Sequence, residues 1–183
     1  EDINYDLFKL ACRVSAKRLF PNFSFLDAPF NLQYYKEGHP ETEATYMGCR
    51  TRVVANCYDK SREITYGRGN LSFTSINLPR IAINANGSID WFFDELDRKI
   101  DLVIDQLLAR YKVQAAKTVK NYPFLMGQGI WLDSEKLNID DEFGEVLKHG
   151  SLTIGFIGLA ETLKALIGVH HRESEEARPV SYT

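Results

Sequence analysis

The spacing of apolar residues predicts where this chain forms helices. Apolar side chains recur every three or four positions over residues 3–20, where Pro21 ends the pattern, and more regularly over residues 89–111. A polar turn at 84–88 precedes the second pattern and places Ser88 at its N-cap position. Two amphipathic helices are therefore predicted.

Runs of alternating or continuous apolar residues predict strands elsewhere. The polar, turn-rich segment 36–45 separates these runs and is predicted to be a loop. The predicted strands cover 21–27, 31–35, 50–55, 62–66, 71–83 and 124–132. The strand at 62–66 is predicted to return after a turn at 56–61. The strand at 71–83 is interrupted by Pro79 and is predicted to be mostly buried through Phe73, Ile76, Leu78, Ile81 and Ile83.

The last third of the chain combines both patterns. Residues 140–149 predict a short helix that Gly150 stops. Residues 151–168 begin as a β-branched strand, turn at Gly155 or Gly158, and continue as a helix. Strands that alternate with helices imply parallel pairing, so the predicted fold class is α/β.

Composition and charge narrow the class of protein. The chain has 183 residues, of which 44% are hydrophobic, and these values predict one globular domain. Its formal net charge is −3, and it has no long basic run, so no general attraction to nucleic acid is expected. Nucleotides stay possible ligands because a pocket needs only local positive charge.

The cysteines indicate a reducing compartment. Cys12, Cys49 and Cys57 are odd in number and lack CxxC spacing, which argues against a disulfide framework and against a zinc site within this chain. No signal-peptide pattern or bilayer-length apolar run is present, so a cytoplasmic protein without membrane contact is expected. The first residue is Glu1 rather than Met, which agrees with a fragment of a longer protein.

Two histidine positions invite a metal-binding interpretation. His39 stands beside Pro40 in a polar loop, which is more typical of a solvated residue than of a metal ligand. His170 and His171 form a pair, but the acidic run that follows them favours an exposed surface. No metal ligand is therefore assigned within the chain.

Cys49 is the residue with the most distinctive surroundings. It lies between Gly48 and Arg50 on a polar stretch with cationic neighbours, in a hairpin-like excursion. Most single cysteines are inert, buried small residues, and a reactive thiol is the alternative. Asn70 follows Gly69, where an Asn is usually a turn residue.

Five sequence blocks carry a resemblance to a known family. Their order and spacing resemble the catalytic subunit of anaerobic (class III) ribonucleoside-triphosphate reductase, a glycyl-radical enzyme. Arg172 stands where that family often has Gly, which leaves the local backbone there open. The blocks are MGCRTRV at 47–53, GRGNLSFTSINLPRIAI at 67–83, FLMGQGIW at 124–131, HGSLTIGFIGLAE at 149–161 and HHRESEEA at 170–177.

The resemblance implies a fold and a place within a longer chain. Residues 1–183 would form part of a ten-stranded α/β barrel, shared with pyruvate formate-lyase, in which a finger loop carries Cys49. Family chains are several times longer, so a middle-to-late segment of the catalytic barrel domain is expected. The N-terminal regulatory cone, the first part of the barrel and the C-terminal glycyl-radical region would lie outside it.

The resemblance also implies site residues. Cys49 would be oxidised to a thiyl radical, and Asn70 would be an active-site amide in the branch that uses formate as reductant, whereas a related branch uses a redoxin. Arg50, Arg52 and Arg68 could orient phosphates, although solvated arginines are commoner. Met47 and Asn77 are candidate substrate-binding residues. The alternative for Met47 is that its thioether packs against the loop, and the alternative for Asn77 is a strand-end amide.

The implied ligands and partners follow the family. They are a ribonucleoside triphosphate substrate, dNTP and ATP effectors, a radical S-adenosylmethionine activating enzyme and a second copy of the chain in a homodimer. The glycyl radical and a structural zinc would lie outside residues 1–183. Two alternatives stay open: another glycyl-radical enzyme, although pyruvate formate-lyase-like proteins tend to have two adjacent cysteines at the loop tip, and a non-catalytic nucleotide-binding domain.

Overall fold

The computed structural model describes residues 2–48, 51–171 and 173, which form two compact units divided between Tyr66 and Gly67. The described residues have a mixed α/β structure with two small two-stranded sheets, in agreement with the predicted fold class. The first unit contains α1 (Tyr5–Arg18), α2 (Pro29–Leu32), a 3-10 turn (Pro40–Thr42), β1 (Thr45–Met47) and β2 (Thr51–Val53). The second contains β3 (Asn70–Asn77), α3 (Leu78–Ala85), α4 (Ile89–Ala115), 3-10 turns (Val119–Asn121, Ser134–Lys136), α5 (Gly144–Leu147), β4 (Ser151–Ile157) and α6 (Leu159–Ile167).

In the first unit, β1 and β2 form an antiparallel hairpin in which Met47 pairs with Thr51. The predicted return strand at 62–66 is wrong, because β1 rather than that segment pairs with β2. The buried Thr65 bonds instead to the chain before β1: its amide donates to Glu41 O at 3.0 Å and its hydroxyl donates to Glu43 O at 2.7 Å. These bonds hold residues 62–66 in a segment without regular secondary structure.

The strands predicted at 21–27 and 31–35 are also wrong. Phe23 and Phe25 lie in coil, and the second segment overlaps the short helix α2. Pro29 starts this helix, where its fixed φ suits the first turn and its missing N–H costs nothing. The buried Asn31 amide donates to Phe25 O at 2.8 Å, so a side chain satisfies a backbone group that a sheet would otherwise bond.

In the second unit, β3 and β4 pair in parallel, as the alternation of strands and helices predicted. The long strand predicted over 71–83 is only half correct, because the chain turns into helix α3 after Asn77. Pro79 is therefore in the first turn of a helix rather than interrupting a strand. Ile76, Leu78 and Ile81 are buried as predicted, whereas Phe73 and Ile83 are 66% and 68% exposed.

Two apolar clusters form the core of this unit. The first packs Ile76 of β3 and helix α3 against α4 and α6. The second gathers Val119, Met126, Trp131 and Phe143 with α5. The strand predicted at 124–132 is wrong: this segment is a series of turns, and Gly127 approaches Pro123 O so closely that a Cβ would lie 2.6 Å from it.

The predicted helices are confirmed, although one of them is much shorter than predicted. α1 and α4 occupy the two amphipathic patterns, and the Ser88 hydroxyl accepts a hydrogen bond from Trp91 N at 3.3 Å, as expected of an N-cap. α5 is shorter than the predicted helix at 140–149. Gly158, with φ of 78°, makes the turn from β4 into α6. Within the described ranges, no helix is long and apolar enough to cross a membrane.

Candidate functional site

In the sequence, the predicted reactive cysteine lies between the two strands of the hairpin in the first unit. Met47 ends β1, is half-buried, and pairs with Thr51 at the start of β2. Cys49 and Arg50 fall in the connection between these strands and lie outside the described residues. The role predicted for Cys49 therefore stays a prediction.

Arg52 of β2 anchors the hairpin to the segment that contains α2. Its Nη1 donates to Phe30 O and to Asn31 Oδ1, both at 3.1 Å, and its guanidinium lies 5.2 Å from the centre of the Phe30 ring. A planar guanidinium suits this combination of a forked donor and an aromatic face. These contacts give Arg52 a structural role within the first unit, so phosphate orientation is no longer needed to explain it.

The neighbouring Tyr46 shares this polar cluster. Hydrogen bonds with Ser24 and then with Asn31, helped by the positive charge of Arg52, lower the pKa of the Tyr46 phenol. Each of these contacts stabilises the phenolate relative to the neutral phenol. The middle pair of the hairpin, Tyr46 and Arg52, is thus held by a connected network of polar side chains.

Asn70 begins β3 in the second unit and is exposed. It pairs in register with Ser151 of β4. It also lines a cavity of about 140 Å³ with Gln114, whose Nε2 donates to Leu71 O at 3.2 Å. Gln114 Oε1 is buried there without a hydrogen-bond partner among the described residues. The strand end at Asn70 is therefore a place where a small polar molecule could bind.

Asn77 ends the same strand and caps the next helix. Its Oδ1 accepts a hydrogen bond from Arg80 N at 3.2 Å. This contact explains the residue as a strand-end amide, and its predicted contact with substrate stays a prediction. Seven steps of about 3.3 Å separate the two ends of β3, so a molecule as small as formate cannot contact both Asn70 and Asn77.

Asn77 lines a cleft of about 510 Å³ that has both apolar and polar side chains in its walls. Arg80, Asn84, Glu95 and Lys99 contribute its polar lining. A hydrogen bond from the Arg98 side chain, with a smaller contribution from Lys99, lowers the pKa of Glu95 to about 2. This carboxylate is therefore ionised at neutral pH. The cleft therefore contains charges of both signs.

The described histidines outside the core differ from one another. His39 is exposed and lies 3.0 Å from Glu41 Oε1, as predicted for a solvated loop residue. His170 and His171 are half-buried rather than exposed, and His170 Nε2 lies 3.3 Å from Glu173 Oε1. A hydrogen bond from the backbone amide of His170 lowers the pKa of Glu173, and a hydrogen bond from the Lys164 side chain lowers it further. Over residues 2–48, 51–171 and 173, no group of three or more His, Cys, Asp and Glu side chains could hold a metal ion.

Sequence reasoning missed a buried ionisable pair. His149 is 3% exposed, and its Nε2 lies 3.0 Å from Asp133 Oδ2. Asp133 Oδ1 in turn accepts a hydrogen bond from Lys136 Nζ at 2.7 Å. His149 opens one of the five sequence blocks, which was the only available signal. Its partner stands 16 positions earlier, directly after a segment predicted as a strand.

Comparisons with known proteins agree with the resemblance. The family model described as "Anaerobic ribonucleoside-triphosphate reductase" matches residues 1–183. Curated proteins with the same name are 32% identical over 172 residues in Escherichia coli (strain K12), 32% over 180 in Salmonella typhimurium and 30% over 176 in Enterobacteria phage T4. These matches cover 93%, 97% and 92% of this chain and 23%, 24% and 27% of the relatives.

The matched relatives are reductases by name and therefore oxidoreductases. The chain belongs to the anaerobic ribonucleoside-triphosphate reductase family. It spans about a quarter of the length of the curated relatives that it matches.

Proposed function

We propose that the protein containing this chain reduces ribonucleoside triphosphates to deoxyribonucleotides, with Cys49 as the residue that abstracts hydrogen from the substrate. The proposal rests on the family match across residues 1–183, which includes the MGCRTRV block around Cys49. The pairing of β1 with β2 supports it, because the sequence places Cys49 in the short connection between two paired strands.

The chemistry of a thiol suits this role. The radical glycine, which lies outside this chain, supplies the oxidising equivalent that converts the Cys49 thiol to a thiyl radical. An S–H bond is close in strength to the ribose C3′–H bond, so Cys49 can take the hydrogen from C3′ and later return it. In between, the 2′-hydroxyl leaves as water. Overall, ribonucleotide, formate and one proton give deoxyribonucleotide, carbon dioxide and water, so formate provides the two electrons.

The remaining parts of the site are assigned to named residues. Asn70 hydrogen-bonds formate or the substrate hydroxyls at the start of β3, where a cavity of about 140 Å³ supports the assignment. Met47 and Asn77 contact the substrate. Arg52 is not assigned to phosphate, because Phe30 O and Asn31 already accept its hydrogen bonds.

The proposed architecture extends beyond this chain. Residues 1–183 form part of a ten-stranded catalytic barrel domain in which the β1–β2 hairpin is the finger loop. The parallel pairing of β3 and β4 supports this assignment. A structural zinc lies elsewhere in the protein. The intact enzyme is a cytoplasmic homodimer that responds to dNTP and ATP effectors and depends on a radical S-adenosylmethionine activating enzyme.

The test is Cys49→Ser in the full-length enzyme, with Cys57→Ser as the matched control. Cys57 is an exposed free cysteine eight positions later in the same unit. We expect Cys49→Ser to fold, bind nucleotide and accept the glycyl radical but to form no deoxynucleotide, because an alkoxyl radical is far harder to form than a thiyl. Cys57→Ser should retain turnover.

Three measurements separate the possible failures. Electron paramagnetic resonance reports the glycyl radical, nucleotide binding reports folding, and product analysis reports reduction. Turnover by Cys49→Ser above background contradicts the thiyl assignment. A wild-type enzyme that carries the radical and binds nucleotide but converts pyruvate rather than ribonucleotide favours a pyruvate formate-lyase-like activity. Nucleotide binding without any radical favours a non-catalytic domain.

A further inference from the structure

The segment that leads into Asn70 is held by hydrogen bonds to two other parts of the second unit. The amide of Leu132 donates to Gly67 O at 2.7 Å, and the amide of Ser151 donates to Gly69 O at 3.0 Å. The residues 67–70, called here the GRGN segment, therefore lie between the turn at 130–133 and the start of β4.

Glycine makes these approaches possible. Gly67 has a φ of 64°, and a Cβ there would lie 3.1 Å from Leu132 N. On the other side, a Cβ on Gly150 would lie 2.7 Å from Leu71 Cγ and 3.0 Å from Gly69 O. Contacts this close leave little space for the GRGN segment to shift while both neighbours stay in place.

His149 contacts both the GRGN segment and the turn at 130–133. Its carbonyl oxygen accepts a hydrogen bond from Arg68 Nε at 2.9 Å, and its ring reaches Asp133 Oδ2 at 3.0 Å. Asp133 directly follows Leu132, whose amide bonds to Gly67. The turn at 130–133 therefore bonds to the GRGN segment at Gly67, and the Asp133–His149 pair connects the same turn to His149, which bonds to Arg68.

The hydrogen bond between Asp133 and His149 needs a donor on one side chain and an acceptor on the other, and water cannot easily take the place of either. An ionised carboxylate can only accept hydrogen bonds, so a hydrogen bond to ionised Asp133 requires a proton on His149 Nε2. Lys136 Nζ, 2.7 Å from Asp133 Oδ1, balances the charge of the carboxylate. Because His149 is buried, water cannot readily substitute for a lost partner.

We infer that Asp133 and His149 are positioning residues, which hold the GRGN segment and through it the Asn70 amide in the geometry that the reduction requires. This inference rests on the proposed role of Asn70 and deepens it. The pair does not touch substrate in this assignment. It acts by keeping the turn at 130–133 and the start of β4 at a fixed separation.

The first test is hydrogen exchange in the full-length enzyme. His149→Phe keeps a ring of similar size but removes the donor, and we expect faster exchange in peptides that contain the Leu132 and Ser151 amides. His149→Gln keeps a donor and should restore protection. Leu107→Ala, which opens the other core cluster, is the control for general destabilisation and should leave these two peptides unchanged.

The second test is a double-mutant cycle on turnover. We expect His149→Phe alone to lower kcat by up to about 100-fold, as a displacement of about 1 Å can. In the Asn70→Ala background, the same change should lower kcat by less than about twofold, because the group that it positions is already absent. The change in KM for the nucleotide should be small in both cases. Leu107→Ala should have the same effect on kcat in either background.

Each outcome has a defined meaning. Unchanged exchange at the Leu132 and Ser151 amides overturns the positioning role. So do effects of His149→Phe and Asn70→Ala on kcat that multiply in the double variant. Either result leaves the proposed function intact. Normal turnover by Asn70→Ala with formate shows that the proposed role of Asn70 is wrong, and the positioning role falls with it. If His149→Phe does not accumulate, Asp133→Gly removes the acceptor of the same contact, since Gly adopts the φ of 67° at this position without strain.

Discussion

At the scale of single residues, Asn77 combines an observed structural task with a proposed chemical one. Its carbonyl oxygen caps α3 by accepting from Arg80 N. The amide nitrogen of the same side chain is the group that could donate to a substrate oxygen. One side chain can do both, because the acceptor and the donor of an amide are different atoms.

Two substitutions separate these tasks. Asn77→Asp keeps an acceptor for the cap but loses the donor, so we expect unchanged stability and a raised KM for the nucleotide, whose phosphates the new carboxylate also repels. Asn77→Ala loses the cap and should cost about 0.5–2 kcal/mol of unfolding free energy. Denaturation and steady-state kinetics of the full-length enzyme measure the two effects. An Asp variant with wild-type KM would mean that Asn77 only caps the helix.

At the scale of secondary-structure elements, the junction between β4 and α6 depends on its contact with α3. Gly158 has a φ of 78°, and a Cβ there would lie 2.3 Å from Cγ of Pro79 in the first turn of α3. The ring of Pro79 cannot rotate away as a flexible side chain could. The start of α6 and the start of α3 are therefore packed against each other at a position that only glycine allows.

The other end of α6 provides a matched control for this contact. Gly168 has a φ of 80°, but a Cβ added there would meet no atom of the described residues within 4 Å. Gly158→Ala and Gly168→Ala both strain the backbone, and only Gly158→Ala adds a clash. We expect Gly158→Ala to lower the unfolding free energy by about 1–3 kcal/mol more than Gly168→Ala does. Equal losses in chemical denaturation would show that Pro79 moves away without cost.

At the scale of the whole molecule, the sheet of β3 and β4 exposes large apolar side chains. Phe73, Phe156 and Ile157 are 66%, 62% and 56% exposed. A two-stranded sheet with such side chains tends to associate through its free edges and faces. Ile76 and Ile81 are buried instead, so only part of the apolar run in this region contributes to that surface.

The isolated 183-residue chain should therefore self-associate in gel filtration. Phe73→Thr should reduce association with little loss of stability, whereas Ile76→Ala should cost about 2–5 kcal/mol because it removes core contacts. Incubated anaerobically with the activating enzyme, S-adenosylmethionine, formate and ribonucleotides, the isolated chain should show no glycyl radical by electron paramagnetic resonance and form no deoxynucleotide. Product formation by a monomer would contradict the proposed division of the site between this chain and the rest of the protein.

The sequence by itself determined the elements whose signals are local. The three-to-four spacing of α4 and its Ser88 cap depend on residues within one or two turns of each other, and both are confirmed. The sequence predicted a turn at Gly155 or Gly158, and the structure has it at Gly158 between β4 and α6. The order of strands and helices was enough to predict parallel pairing. The five sequence blocks were sufficient to predict the family.

The tertiary structure alone decided which of several compatible local conformations was adopted. Residues 62–66 have strand-like composition, but Thr65 bonds to residues more than 20 positions earlier, and no local pattern encodes that choice. Asp133 and His149 form a buried pair only because turns bring the segment at 130–133 beside the start of β4. The physical reason is the same in both cases: buried polar groups must find partners, and those partners are set by the fold rather than by neighbouring residues.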